Sequence, residues 1–206
     1  MVYEDDWLLI VNKPAGLLTI PTPKNETYTL TNILNQGLKE KGLSFLLHPC
    51  HRLDKDTSGL IIYAKGKSAQ KKVIELFRLK KIKKTYIAFI QGGLGKAQGE
   101  ITLPIEGVSA VTKYKVLGTG RQKDWTIVEI NPLTGRTNQI RIHFKSIGHP
   151  IIGEKKFAYR RDFKLTANRL CLHARRLEFP HPVSGGLIKA DSELPLGMEH
   201  FLERFS

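Results

Sequence analysis

One stretch limits what this chain can become more than any other. Residues 51–59 read HRLDKDTSG, and the next five, 60–64, read LIIYA. A short apolar run bounded by a glycine reads as a strand buried on both faces. The nine residues before it hold two Asp, an Arg, a Lys, a His, a Thr, a Ser and a Gly, a mixture that suits neither the middle of a helix nor a strand. A core strand entered through such a cluster needs either a solvated turn or a site at its mouth. Asp, Ser, Thr and Gly all form turns, so the turn reading is available from local chemistry alone.

Around this stretch the chain alternates without a regular βαβ rhythm. Residues 7–11 read as a strand, with 12–16 (NKPAG) as its turn. Leu30, Ile33, Leu34 and Leu38 recur at helical spacing, with Gly42 as the stop. Ser68 is placed to cap a second helix with Ala69, Val73, Leu76 and Phe77 inward and Lys71, Lys72 and Arg78 outward. Strands are expected at 85–90, 101–103, 111–117 and 125–130. Thr137 is placed to cap a helix facing inward through Ile140, Phe144 and Ile147, stopped by Gly148 and Pro150. A short tail helix is expected at 200–205. The mixture predicts an α+β fold with a largely antiparallel mixed central sheet flanked by helices and loops. No repeat, low-complexity segment or linker divides the 206 residues, which reads as one domain.

The charge is the unusual bulk property. There are 33 Lys and Arg against 19 Asp and Glu, a net of +14, and such an excess points to a polyanionic partner. Nucleic acid is the leading candidate and an anionic membrane surface the alternative; the membrane reading lacks support, because no apolar run approaches the ~20 residues that span a bilayer. The first residues are acidic (Glu4, Asp5, Asp6) rather than the basic start of a secretion signal. With Cys50 and Cys171 far apart, this suggests a reducing cytoplasm. His143, His149, His173 and His181 do not form a compact ligand set with the two cysteines, so neither metal nor cofactor is expected.

Five segments, in order, resemble the pseudouridine synthases of the RluA type. The 51–59 loop is similar to the family's HRLDxxTSG signature. Residues 4–16 (EDDWLLIVNKPAG) resemble its opening strand and turn, and 83–88 (KKTYIA) its tyrosine strand. Residues 135–143 (GRTNQIRIH) with 148–153 resemble its GRTHQIRVH block, and 172–179 (LHARRLEF) its closing LHA block. The resemblance implies a single catalytic domain with an active-site cleft. It also implies that the small RNA-binding domain many relatives carry ahead of the opening strand is absent here.

The resemblance implies an isomerase that turns uridine in RNA into pseudouridine and consumes no water, metal or redox carrier, so RNA is the expected partner and neither DNA nor a membrane is. Such a reaction keeps its leaving group in place, so one carboxylate can serve where a glycosidase uses two. Asp54 matches the catalytic carboxylate, with Arg141 as the guanidinium expected to favour its ionised form. Asp56, in the same loop, is read as a turn former. Tyr86 matches the active-site tyrosine, able to stack on uracil or manage a proton, although a strand tyrosine is commonly just core. Arg52 matches a residue that fills the stack when the target base is extruded; its plainer reading is a phosphate contact. Lys84 and Arg136 fall within matched blocks and, with Lys71 and Lys72 in the basic 65–84 segment, are expected to contact RNA phosphates, which position RNA without reading its sequence. Asn138 stands where the family usually has His, keeping hydrogen bonding but losing titration near neutrality.

Two other classes compete. A non-catalytic RNA-binding relative would keep the fold and lose the chemistry. The 51–59 loop also superficially resembles a kinase catalytic loop, but Leu53 separates Arg from Asp and no Gly-rich phosphate loop precedes it. A monomer is expected.

Overall fold

The computed structural model describes residues 1–120, 122–158 and 165–205. In chain order its elements are β1 (Tyr3–Glu4), β2 (Leu8–Lys13), α1 (Leu30–Glu40), β3 (Leu47–Pro49), β4 (Ser58–Lys65), α2 (Lys67–Arg78), β5 (Lys83–Gln91), β6 (Gln98–Ile101), β7 (Thr112–Thr119), β8 (Trp125–Pro132), α3 (Gln139–Ser146), β9 (Leu172–Pro180), β10 (Leu187–Asp191) and α4 (Leu196–Phe205). The α+β class follows directly from this order. The chain gathers into two compact units, residues 1–83 with 176–192, and residues 84–175 with 193–206. Of the three changes of unit, two fall inside strands, at 83/84 in β5 and 175/176 in β9, and the third falls at 192/193, just past β10.

In the first unit β2 lies antiparallel between β1 and β4, with Leu8 opposite Ala64 and Lys13 opposite Gly59. β3 pairs with β4 through Leu47 and Lys65, and β10 pairs with β9 through Asp191 and Arg176. The sequence pattern explains β4: residues 58–64 are all buried, so an uninterrupted apolar run is what both faces require. Leu60, Ile62 and Ala64 join Leu8, Ile10, Ala69, Val73 and Phe179 in one core cluster. Helix α2 supplies Ala69 and Val73, four residues apart on one face.

The second unit has the strand order β5-β8-β7-β6, antiparallel at each step. Phe89 and Trp125 pack against Phe201 of α4, with ring centroids 5.6 and 5.4 Å from the Phe201 ring. Phe144 of α3 meets the Tyr114 ring of β7 at 5.9 Å.

Several local expectations are corrected. Helix α2 is not capped by Ser68; it begins at Lys67, and Gly66 occupies the cap at φ 94° without a side-chain bond. The turn from β4 straight into α2 needs a positive φ that glycine accepts cheaply. Helix α3 is capped not by Thr137 but by Asn138, in the left-handed region, and Ile147 lies past its end, 39% exposed. In α1 only Leu30 is buried, while Ile33 is 40% exposed; an apolar stripe at helical spacing records a preferred face, not how much of it is covered. Strand β6 ends at Ile101 rather than starting there, and the tail helix begins at Leu196 rather than His200.

Gly153 carries a strict steric demand. It sits at φ +80°, and a Cβ there would lie 1.9 Å from the Arg169 carbonyl oxygen. Because that neighbour is backbone, Gly153→Ala is expected to cost about 3 kcal/mol or more, seen as a lower midpoint in urea unfolding. A midpoint equal to that of the native protein would show that the 153/169 contact relaxes freely.

Candidate active site

In the first unit the 51–59 loop is held from beneath. Lys13 is fully buried at the end of β2. Its ammonium donates to the carbonyls of Pro14 (2.8 Å), Leu17 (2.7 Å) and Lys55 (3.0 Å). The Gly16 N–H donates to the same Lys55 carbonyl at 2.9 Å. Thr19 clamps the other side: its Oγ1 donates to the Leu53 carbonyl at 3.1 Å and accepts from the Leu53 N–H at 3.3 Å. The Thr57 N–H closes the loop on the Asp54 carbonyl at 3.1 Å. His51 Nε2 accepts from the Ile62 N–H at 3.0 Å, and its ring packs 5.1 Å from Phe77. The side chains then sort by position: Leu53 is buried as an anchor, Asp54 is half-buried, and Arg52, Lys55 and Asp56 are exposed. A backbone fixed at Leu53 and Lys55 gives the carboxylate between them a defined place, which chemistry on a bound substrate needs.

Lys13 and Thr19 were not singled out by the sequence reading. A signal existed for Lys13: an ammonium closing the strand LLIVNK, buried with it, must be met by acceptors. Lys13→Met keeps the volume and removes three charge-assisted bonds. It is expected to cost about 2–4 kcal/mol and to lower kcat more than it raises KM, because the loop loses its seat. Urea unfolding and steady-state kinetics check this, and unchanged kcat in a folded variant would count against the seating role.

Lys71 and Lys72 project from α2 into solvent. The basic 65–84 segment is less free than its charge suggests, since Lys65 pairs with Glu4 (2.7 Å), Arg78 with Glu75, and Lys83 with Glu178 (3.6 Å).

The second unit holds Tyr86, Lys84, Arg136 and Arg141. Tyr86 is buried in β5 opposite Ile130. Lys84 is half-buried, with its ammonium near the exposed backbone of Gly135, and burial lowers its pKa from the usual lysine value. Arg136 is exposed, and its Nε donates to the Ser109 carbonyl at 3.2 Å. The turn into α3 is organised by buried Gln139. Its Oε1 accepts from Thr134 Oγ1 (2.7 Å) and the Arg136 N–H (3.0 Å), while its Nε2 donates to the Val111 carbonyl and Thr112 Oγ1.

Arg141 is 5% exposed and bidentate on Glu154: Nε to Oε2 and Nη2 to Oε1, both 2.7 Å. The Phe157 ring lies 5.2 Å from the guanidinium carbon. Burial alone would raise the Glu154 pKa, but the Arg141 bonds and the Lys156 and Phe157 N–H groups outweigh it and hold the carboxyl below its usual range. Arg141 Nη1 donates to Asn138 Oδ1 at 3.1 Å. Residue 138 must therefore accept a left-handed backbone (φ 55°, ψ 21°) and offer an acceptor to Arg141. Asn suits both demands. Glu154 is a further residue the sequence reading missed; it lies 13 positions from Arg141 with no local spacing to betray the pair.

The histidines serve separate networks. His143 Nε2 meets the Leu103 carbonyl, His149 Nδ1 meets the Gln91 carbonyl, and His181 Nδ1 accepts from Val183 and Ser184 N–H groups. Among the described residues no group of three or more His, Cys, Asp or Glu is placed to hold a metal ion, and no helix is long and apolar enough to cross a membrane.

A family model described as RNA pseudouridylate synthase matches residues 7–146, a span holding both the fixed Asp54 loop and the Arg141 helix. The chain belongs to the RNA pseudouridylate synthase family. Members are isomerases acting on uridine in RNA. The chain is 36% identical to the dual-specificity RNA pseudouridine synthase RluA of Haemophilus influenzae, over 90% of this chain and 88% of that protein. It is 34% identical to YhcT of Bacillus subtilis, named as an uncharacterized RNA pseudouridine synthase, over all of this chain and 72% of that one. Among solved structures it is similar to human RNA pseudouridylate synthase domain containing 4, with TM-score 0.82, 26% identity and coverage of 98% and 91% of the two chains. The phosphoryl-transfer reading of the 51–59 loop is thereby replaced by family membership, and no finding favours a non-catalytic relative.

Proposed function

We propose that this RNA pseudouridine synthase modifies one or a few uridines in ribosomal RNA, transfer RNA or both, working as a monomeric catalytic domain in the cytoplasm. In the reaction the N1–C1′ bond breaks, the uracil turns, and a C5–C1′ bond forms. The proton displaced from C5 is balanced by the one gained at N1, so nothing is consumed. Asp54 is the carboxylate that drives glycosidic cleavage. Tyr86 stacks against the uracil, and Arg141 supplies the positive charge that carboxylate chemistry requires. Arg52, exposed beside Asp54 in the loop, takes the place of the extruded base, while Lys84, Arg136, Lys71 and Lys72 meet phosphates.

The observation that carries this reading is the seating of the Asp54 loop on buried Lys13 and on Thr19. A solvated turn needs no buried ammonium under it; a positioned carboxylate does. The test is pseudouridine mapping on unmodified transfer and ribosomal RNA treated with the purified protein. Discrete new sites are expected. Salt-sensitive RNA binding with no new site on any RNA would overturn the catalytic reading in favour of a binding module.

A further inference from the structure

One polar group in the 51–59 loop breaks the rule that buried donors are paired. Thr57 is 2% exposed, and its hydroxyl oxygen has no hydrogen-bond partner among the described residues. Two other buried side-chain atoms share that condition among the described residues, His143 Nδ1 and His181 Nε2, and each has a local account. His143 Nε2 meets the Leu103 carbonyl at 2.9 Å, so that nitrogen carries the hydrogen and Nδ1 is left as an acceptor, not as an unmet donor. His181 Nε2 lies 3.0 Å from the Asp5 carboxylate. The Thr57 hydroxyl is a donor with no acceptor in reach.

Stability does not explain that hydroxyl. Valine has the same branched shape and would put a methyl group where the unpaired hydroxyl is buried at a cost. The hydroxyl also stands in a particular place. The Thr57 N–H donates to the Asp54 carbonyl at 3.1 Å, which closes a turn with Lys55 and Asp56 at its corners. Such a turn brings its first and last Cα atoms within about 7 Å of each other. The half-buried Asp54 and the buried Thr57 are therefore the two ends of one turn. That turn is held in place by the Lys13 ammonium on the Lys55 carbonyl and by Thr19 on Leu53.

From this arrangement we infer that Thr57 is a positioning residue for the Asp54 carboxylate, donating its hydroxyl hydrogen to one carboxylate oxygen while the other acts on the bound uridine. An ionised carboxylate has two accepting oxygens. When one is committed to the substrate, the second fixes the rotation of the group. The bond needs only side-chain rotation, because the turn already brings the two residues together. Its acceptor is charged, so it is stronger than a bond between neutral groups. It is absent from the free protein and forms with RNA in place, so its energy enters the reaction barrier and not the stability of the fold. This inference rests on the RNA-isomerase reading above.

The test compares the native protein with Thr57→Val and Thr57→Ser in urea unfolding, RNA affinity and steady-state kinetics. Thr57→Val is expected to unfold at a urea midpoint no lower than native and to bind RNA within about twofold of native. Its kcat is expected to fall roughly 10–100-fold, the range of a hydrogen bond to a charged group, with KM within about twofold. Thr57→Ser restores the hydroxyl and is expected to bring kcat back to within about threefold of native. A merely structural role gives the opposite pattern, a lower midpoint in Thr57→Val with kcat per folded molecule unchanged. A lowered midpoint in Thr57→Val, or failure of that variant to fold, would overturn the inference, because either shows that the hydroxyl is already bonded in the free protein. An equal loss of kcat in Thr57→Ser and Thr57→Val would overturn it as well. Pseudouridine formed at the same kcat by native protein and Thr57→Val would remove Thr57 alone and leave the enzyme reading intact. A native protein that forms no pseudouridine on any RNA would remove the enzyme reading first, and the role of Thr57 with it.

Discussion

Asp54→Asn is expected to lower the rate of pseudouridine formation by at least about 10³-fold while changing RNA affinity by less than about twofold. The substitution keeps the shape of the side chain and removes its charge. An amide can neither attack carbon nor carry a developing bond through ionisation, so an interaction made only in the transition state is lost. A factor of 10³ is about 4 kcal/mol of barrier. The loop itself should survive, because its seats are backbone contacts: Lys13 and Gly16 on the Lys55 carbonyl, and Thr19 on Leu53. Asp56→Asn is the matched control. Asp56 is exposed, and its replacement should change kcat by no more than about threefold. Mapping of pseudouridine after single turnover, with affinity measured in parallel, separates the two carboxylates. Retained activity in Asp54→Asn, or an equal loss in Asp56→Asn, would remove Asp54 from the chemistry.

The second large effect is expected at Glu154. Glu154→Ala leaves the Arg141 guanidinium buried without its bidentate partner, and breaking one side of such a pair costs about 3–5 kcal/mol. For a chain of this size that is roughly a 10 °C fall in Tm. The pH dependence follows from the direction of the Glu154 shift. Its carboxyl is held below the ordinary range in the folded protein. The stabilisation is therefore fully present above the unfolded carboxyl pKa near ~4.3 and is lost as pH falls through the lower folded value. Native protein should lose stability steeply on the acid side, and Glu154→Gln should be less stable at neutral pH with a shallower acid limb. Activity should fall further than folding explains, because Glu154 and Asn138 together fix where the Arg141 guanidinium points. Equal acid limbs in native protein and Glu154→Gln would show that this pair does not set the acid stability.

Much was legible before any coordinates. The run LIIYA announced a strand covered on both faces, and β4 is buried throughout residues 58–64. Alternating elements without βαβ rhythm announced α+β, and five short motifs in order announced the family. These are local properties: period, turn chemistry and motif spacing are written in neighbouring residues. Helix boundaries were less legible. Whether Ser68 or Gly66 caps α2 depends on how sharply the chain must leave β4, and whether Ile33 or Ile147 is covered depends on which partner reaches that face.

The support of the site belongs to the tertiary structure. Lys13 meets Lys55 across 42 residues of sequence, Thr19 meets Leu53 across 34, and Glu154 meets Arg141 from beyond the end of its helix. A motif names the residues that touch substrate because chemistry restricts their type. The groups that hold them are restricted only by reach and hydrogen-bonding sense, which many residue types satisfy. By itself, then, the sequence determined the class of fold and the family, and it picked out Asp54 as the candidate carboxylate. Only the folded chain decided that a buried ammonium seats its loop and that Arg141 is held by a carboxylate. Those facts arise from chain segments brought together in space, where burial makes each unmet charge costly and so fixes its partner.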